Sequence, residues 1–225
     1  MTLDRRFILA AGAAVVVVGA VGWYGLRDQP LATRQVPGLS TANAQDRDLS
    51  TLDQPPEFGE RALGEADAPV TIIEYASATC PHCASFPVDT FPALKEEFID
   101  TGKVRFIFRE FPFDDLALAA FMLARCAPEE RYFPIVDVLF EEQQSWTREP
   151  REELLKIARM AGFTEESFNQ CLENEEIAEG ILEIRSTGAE QYGVDSTPTF
   201  FVNGTVIEGN QPIERFREAI AEAEG

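Results

Sequence analysis

Two cysteines separated by two residues are the strongest chemical signal in the chain. The motif is Cys80-Pro81-His82-Cys83, with an apolar run before it and helical spacing after it. Pro81 suits the first turn of a helix, because the N–H that proline lacks would have no helical partner there. A helix N-terminus stabilises a thiolate and therefore lowers the pKa of the thiol of Cys80. The motif predicts thiol–disulfide exchange, with Cys80 as the nucleophile and Cys83 as the resolving thiol.

Two further side chains near this motif could move protons. His82 is the only histidine in the chain, and its position predicts that it polarises the thiolate of Cys80; the alternative is an exposed polar spacer. Glu74 is a lone acid in the apolar run before the motif, where an unpaired charge is unfavourable. We predict that Glu74 relays protons to and from Cys83 with a pKa raised by burial. The alternative is a structural ion pair with a lysine or arginine.

Two other classes of protein use such a motif. Cys80, His82 and Cys83 could form the soft site of a non-enzymatic copper carrier. A zinc site needs two more ligands, and the remaining cysteines lie far away in sequence. The third possibility is a membrane-tethered peptide-binding module in which the motif is incidental. Exchange chemistry is favoured, and it predicts neither a cofactor nor a metal.

The order of predicted elements indicates an α/β protein. Val70 to Tyr75 reads as a strand buried on both faces, and prolines 87 and 92 should kink or split the helix after the motif. The predicted elements that follow are a strand at 104–108, four or five helices between 116 and 192, two strands at 199–202 and 205–207 joined by Asn203-Gly204, and an amphipathic C-terminal helix. This order predicts a mixed sheet covered on both faces.

The N-terminal region differs from the rest of the chain. Residues 7–26 are apolar and follow Arg5-Arg6, which predicts a membrane anchor or signal segment over residues 1–26. The sequence Ala42-Asn43-Ala44 offers a cleavage site if the segment is removed. We interpret residues 27–57 as a polar linker and 58–225 as one domain. The net charge of −20 argues against nucleic-acid binding, which needs a basic surface.

Several motifs in order resemble the DsbA-like family of thioredoxin-fold proteins. They are Val70 to Glu74, the Cys80–Cys83 motif, Arg109 to Pro112, a helical region, and Thr197 to Gly204. The resemblance implies a thioredoxin-like fold with a helical insertion at about 114–192. It also implies that Pro198 is cis and faces the active-site disulfide, that Thr197 binds an extended substrate strand, and that Glu74 is the family's buried acid.

The resemblance also implies an activity and partners. A DsbA-like oxidase introduces disulfides into reduced, unfolded exported proteins and is re-oxidised by a quinone-linked membrane partner. We expect a monomer in the periplasm, tethered to the inner membrane by the N-terminal segment or released by its cleavage. Thr197 is typical of isomerase relatives, whereas oxidases carry valine before the cis-proline, so an isomerase or reductase of the same fold remains open. Such isomerases dimerise through an N-terminal domain, for which the linker is too short.

The other two cysteines predict a structural disulfide. Once Cys80 and Cys83 pair, only Cys126 and Cys171 remain. An exported, oxidising compartment disfavours unpaired cysteines. The alternative is two buried free thiols in the helical insertion.

Overall fold

A computed structural model describes residues 48–225 of the chain. The predicted anchor or signal segment, and the predicted linker up to residue 47, lie outside these residues. Within residues 48–225, no helix combines the length and apolar character that crossing a membrane requires.

One mixed sheet of five strands forms the centre of the domain, in the order β1-β3-β2-β4-β5. The strands are β1 (Arg61–Leu63), β2 (Val70–Ala76), β3 (Val104–Glu110), β4 (Thr199–Val202) and β5 (Thr205–Glu208). Strands β2 and β3 are parallel, and the other three pairs are antiparallel. The sequence predicted four of these strands and missed β1, because three residues are too few to show a periodic pattern.

Helices cover the sheet and form the insertion between β3 and β4. The helix after β2 is split as predicted: α1 ends and α2 begins on either side of Thr90. The insertion holds five α-helices of eight or more residues, one four-residue α-helix, and one turn of 3-10 helix at Glu129–Arg131; the last two were too short to predict. The helices are α1 (Pro81–Asp89), α2 (Phe91–Leu94), α3 (Asp115–Cys126), α4 (Tyr132–Glu141), α5 (Gln143–Trp146), α6 (Pro150–Met160), α7 (Glu165–Leu172), α8 (Glu175–Glu190) and α9 (Ile213–Glu224).

The two faces of the sheet belong to different apolar clusters. On β2, Ile72 packs in the larger cluster with side chains of α1, α9 and the insertion. The next residue, Ile73, packs in a smaller cluster with Leu52 and Ile184. Side chains alternate along a strand, so Glu74 lies on the face of the larger cluster. Burial of both faces explains the nearly continuous apolar sequence of β2.

The predicted linker ends earlier than residue 57. Leu52 is only 3% exposed, and its carbonyl oxygen accepts a hydrogen bond of 2.8 Å from Nη2 of Arg109. The same nitrogen donates to the carbonyl oxygen of Gln54 at 3.1 Å. Residues 48–57 therefore pack onto the domain. The polar composition of this stretch concealed the packing, which combines the buried side chain of Leu52 with backbone carbonyls that bind the guanidinium of Arg109.

A buried ion pair joins the insertion to the sheet. Arg125 of α3 donates to Glu110 at the end of β3, with 2.8 Å between Nη2 and Oε2. The hydroxyl of Tyr132 in α4 donates to the same carboxylate at 2.6 Å. Glu110 and Arg125 are both buried, and a buried pair needs such additional hydrogen bonds to offset its desolvation. The contacts hold α3 and α4 beside the end of β3.

A disulfide lies within the insertion. It joins Cys126, the last residue of α3, to Cys171 in α7, with 6.0 Å between their Cα atoms. Cys80 and Cys83 are free thiols in this structure.

Candidate active site

Cys80 lies where β2 passes into α1. It is the N-cap residue of α1, with Pro81 following in the first turn. Cys80 is 6% exposed and Cys83 is fully buried. This asymmetry places Cys80 at the surface end of the pair, where a substrate can reach it, and Cys83 behind it.

Hydrogen bonds stabilise the thiolate of Cys80. The pKa of Cys80 is lowered to about 5, first by a hydrogen bond from the side chain of Cys83 and then by Thr197 and the backbone N–H groups of Cys83 and His82, against the opposing effect of burial. A thiol with this pKa is ionised at neutral pH. Cys80 therefore has the chemistry of a nucleophile and of a good leaving group.

The pKa of the Cys83 thiol shifts in the opposite direction. Burial, the hydrogen bond to Cys80 and the negative charges of Glu74 and Cys80 all raise the pKa of Cys83 far above its ordinary value. Cys83 consequently holds its proton while Cys80 is ionised. Its thiol must lose that proton before it can attack a disulfide.

Glu74 is buried in the middle of β2. It is 3% exposed and lies between Phe108 of β3 and Phe200 of β4 in the register of the sheet. No ion pair to Glu74 occurs within residues 48–225, and its Oε1 atom has no hydrogen-bond partner among them. Burial, and to a lesser extent the charge of Cys80, raises the pKa of Glu74 to about 8. Such a carboxyl group can exchange a proton near neutral pH.

The loop before β4 approaches the active site from a distant part of the chain. The Thr197–Pro198 peptide bond is cis. The Sγ atom of Cys80 donates a hydrogen bond of 3.2 Å to the carbonyl oxygen of Thr197.

His82 is exposed on the first turn of α1. Its backbone N–H contributes to lowering the pKa of Cys80. Within residues 48–225, no hydrogen bond joins its imidazole to another residue. The contact through which His82 lowers the pKa of Cys80 is therefore its backbone N–H.

Gln143 is a residue of the site that sequence reasoning missed. It is buried in the single-turn helix α5, and its Nε2 atom donates to the carbonyl oxygens of Ala78 at 2.8 Å and Cys80 at 2.9 Å. These bonds hold the turn before α1 against the insertion. No local pattern marks Gln143, because its partners lie more than sixty residues away.

Side chains that could together hold a metal ion lie at one place on the surface of the described residues. Among the described residues, one group of three side chains brings metal-binding atoms within 4.8 Å of one another, and it consists of Glu149, Glu152 and Glu153. This group belongs to the surface at the start of α6. The cysteine pair, together with the exposed His82, does not form such a group.

The fold and the site together define a thioredoxin-fold protein with a thiol pair at the start of its first helix. The thioredoxin family model matches residues 57–222. A structure of alpha-DsbA1 from Wolbachia pipientis is 32% identical, with a TM-score of 0.70, over 76% of this chain and 93% of that one. Disulfide bond formation protein D from Bacillus subtilis is 30% identical over 74% of this chain and 78% of its own length. The chain therefore belongs to the DsbA-like family of thioredoxin-fold proteins.

Other relatives are longer than this chain. A protein from Rickettsia bellii, named as a protein-disulfide oxidoreductase, is 34% identical over 167 residues. These residues make up 73% of this chain and 64% of the relative. The chain thus spans less than two thirds of the length of that relative.

Proposed function

We propose that this protein is a thiol–disulfide oxidoreductase that acts mainly as an oxidase. The observation that carries the proposal is that the pKa values of two neighbouring thiols shift in opposite directions. The pKa of Cys80 is lowered to about 5, while the pKa of Cys83 is raised. This difference separates a nucleophile and leaving group from a resolving thiol. The relatives named above support the same chemistry.

Oxidation of a substrate proceeds in two exchanges. A substrate thiolate attacks Sγ of Cys80, and the electron pair of the broken Cys80–Cys83 bond passes to the sulfur of Cys83. Cys83 then takes up a proton. A second substrate thiolate attacks the substrate sulfur of the mixed disulfide, and Cys80 leaves as a thiolate. The substrate loses two electrons and gains a disulfide, while the protein becomes a dithiol.

Glu74 is the proton donor and acceptor for Cys83 in this proposal. It lies in β2 immediately before the active-site turn, and its negative charge affects the thiol of Cys83. As an acid it protonates Cys83 when the disulfide opens. As a base it removes that proton when Cys83 resolves a mixed disulfide during re-oxidation. A pKa of about 8 suits both roles near neutral pH.

The direction of the reaction follows from the stability of the thiolate. Interactions that stabilise the thiolate of Cys80 are lost when the disulfide forms, so they favour the reduced protein. A protein that prefers its reduced form oxidises its substrates. The stabilised thiolate of Cys80 favours an oxidase over an isomerase, although Thr197 occupies the position that is threonine in isomerases.

We propose reduced, unfolded exported proteins as the substrates. Thr197 would pair through its backbone with an extended segment of the substrate beside Cys80. A membrane partner linked to quinones would re-oxidise the dithiol. A periplasmic location, with the domain tethered by residues 1–26 or released from them, fits this activity, and the domain would act as a monomer.

Trapping of mixed disulfides tests the proposal. In Cys83→Ser, Cys80 can still attack a disulfide but cannot be released by its neighbour, so covalent complexes with exported proteins should accumulate on non-reducing gels. Cys80→Ser is the matched control and should accumulate none. Equal trapping by both variants would overturn the assigned roles.

A second measurement separates the oxidase from the isomerase. The wild-type protein is given either a reduced peptide with two cysteines or a protein with scrambled disulfides. An oxidase forms the disulfide of the peptide in stoichiometric amount and has little effect on the scrambled protein. Efficient rearrangement of the scrambled protein, with slow oxidation of the peptide, would support the isomerase instead.

A further inference from the structure

A small cavity connects the buried acid to a helix of the insertion. It lies between α1, α2, strands β2 and β3, and α4, and its volume is about 20 Å³. This is room for about one water molecule. Only two of its lining residues are titratable, Glu74 and Asp137. The apolar lining consists of Phe86, Pro87, Phe91, Phe106, Phe108, Phe133, Val136 and Phe140.

Glu74 needs a route for its proton if it acts as proposed above. Each catalytic cycle would place one proton on Glu74 and remove one. Glu74 is 3% exposed, and its Oε1 atom has no hydrogen-bond partner among residues 48–225. A bound water would need two to four polar partners. Glu74 and Asp137 offer two, in a cavity whose other walls are apolar.

Asp137 reaches both the cavity and the solvent. The residue is exposed on α4, yet it also lines the cavity beside Glu74. Partial burial of its carboxyl, and then the negative charge of Glu141, raises the pKa of Asp137. A carboxyl group with these two surroundings can bind a proton from the interior and release it to water.

We propose that Asp137 relays the proton of Glu74 to and from solvent through a water molecule in this cavity. The inference rests on the proposed function, since it concerns the same proton transfer. Asp137 acts through Glu74 and not on the sulfur atoms, so it is a positioning residue.

Re-oxidation moves one proton from the thiol of Cys83 to solvent. The thiol of Cys83 gives its proton to the carboxylate of Glu74, and its sulfur forms the bond to Sγ of Cys80. The electron pair of the broken mixed disulfide goes to the sulfur of the leaving partner. Protonated Glu74 donates to the water, which gives another proton to Asp137, and Asp137 releases that proton to solvent.

Few charged groups influence this route. Cys80 acts on the carboxyl of Glu74, and Glu74 acts on Cys83; both cysteines belong to the active-site turn and α1. For Asp137, the charge that acts on it among the described residues is that of Glu141, on the same helix. Glu141 does not line the cavity. It therefore provides a matched control for loss of a nearby carboxylate.

The test measures how fast a mixed disulfide between Cys80 and glutathione resolves to the Cys80–Cys83 disulfide. The full chain is used at pH 5 to 8, in H2O and in D2O. We expect Asp137→Asn to slow resolution at least about fivefold near neutral pH, within the range of proton-transfer effects, and to increase the solvent isotope effect. Glu141→Gln should stay within about twofold of the wild type.

A double variant gives a readout that a structural role would not reproduce. Resolution in Glu74→Gln should be slow, and adding Asp137→Asn should slow it no further, because the relay acts only through Glu74. An Asp137→Asn rate within twofold of the wild type, equal slowing by Glu141→Gln, or additive slowing in the double variant would each overturn the inference. If the wild type itself fails to form or resolve the mixed disulfide, the proposed function fails instead.

Discussion

The side chain of Gln143 donates a hydrogen bond of 2.9 Å to the backbone carbonyl oxygen of Cys80. A residue of the helical insertion thereby holds the nucleophilic turn of the thioredoxin-like domain. The same Nε2 atom also donates to Ala78, so a single buried amide satisfies two carbonyl groups of this turn. The insertion is part of the structure that positions the active site.

Gln143→Leu should weaken both the domain and its active site. The carbonyl oxygen of Ala78 would lose its donor, which costs about 1–3 kcal/mol for an unsatisfied buried group, whereas that of Cys80 would keep its hydrogen bond from the N–H of Ala84. We expect a lower free energy of unfolding and slower alkylation of Cys80, because the turn is less well positioned. Denaturant unfolding and iodoacetamide kinetics measure the two effects. Gln144→Leu, at the exposed neighbouring position, is the control, and equal losses in both variants would contradict the role of Gln143.

The reduced protein should be more stable than the oxidised protein at neutral pH. The pKa of Cys80 falls from an ordinary value near 9 to about 5 on folding. A lowered pKa stabilises the folded dithiol fully above pH 9, and this contribution is lost as the pH falls through 5. A net advantage of about 2 kcal/mol would raise the Tm by roughly 4–8 °C.

Thermal melts of both redox forms between pH 4 and pH 9 measure this difference. The advantage of the reduced form should shrink steadily toward pH 5. Reduced Cys80→Ser should lack the part of the pH dependence that comes from the thiolate of Cys80. An oxidised wild-type protein that melts higher at pH 7 would argue against the oxidase direction.

Glu74→Gln should stabilise the reduced protein in a pH-dependent way. The pKa of Glu74 rises from 4.5 to about 8 on folding. Folded protein then binds the proton more tightly than unfolded protein does, so the carboxyl lowers stability increasingly as the pH rises from 4.5 to 8. Replacement by glutamine should gain on the order of 4 kcal/mol at pH 9 relative to pH 4, at about 1.4 kcal/mol for each pKa unit.

Urea unfolding of the reduced wild type and variant at both pH values tests this. Glu183→Gln, on an exposed part of α8, controls for the loss of one negative charge from a chain whose net charge is −20. A gain for Glu74→Gln that is independent of pH would show that the carboxyl has no raised pKa.

The disulfide between Cys126 and Cys171 should be structural. Its sequence separation is 45, and closing a loop of this length constrains the unfolded chain by roughly 4 kcal/mol in the entropy model. We expect a Cys126→Ala, Cys171→Ala double variant to lose up to that amount while its exchange activity persists at a temperature where it is folded. Unchanged stability of the double variant would refute a structural role.

Selective labelling provides an independent check of that disulfide. After mild dithiothreitol treatment and alkylation, mass spectrometry should find label on Cys80 and Cys83 while Cys126 and Cys171 remain linked. Equal labelling of all four cysteines would show that both pairs exchange readily. Full reduction in denaturant provides the positive control.

The sequence by itself determined the elements whose signals are local. The Cys80–Cys83 spacing and Pro81 predicted a thiol pair at a helix start, and the apolar run around Glu74 predicted a doubly buried strand. Asn203-Gly204 predicted the β4–β5 hairpin, and both residues have positive φ angles, 43° and 93°. Each of these features depends on neighbouring residues, so sequence spacing was sufficient to find it.

Only the tertiary structure decided which distant groups meet at the thiols. Thr197 lies 117 positions after Cys80 and contacts its sulfur, and Gln143 reaches the same turn from 63 positions away. Asp137 shares a cavity with Glu74 because α4 packs beside β2 and β3. Proton affinities and hydrogen-bond partners depend on burial and on spatial neighbours, and packing of the whole chain determines both.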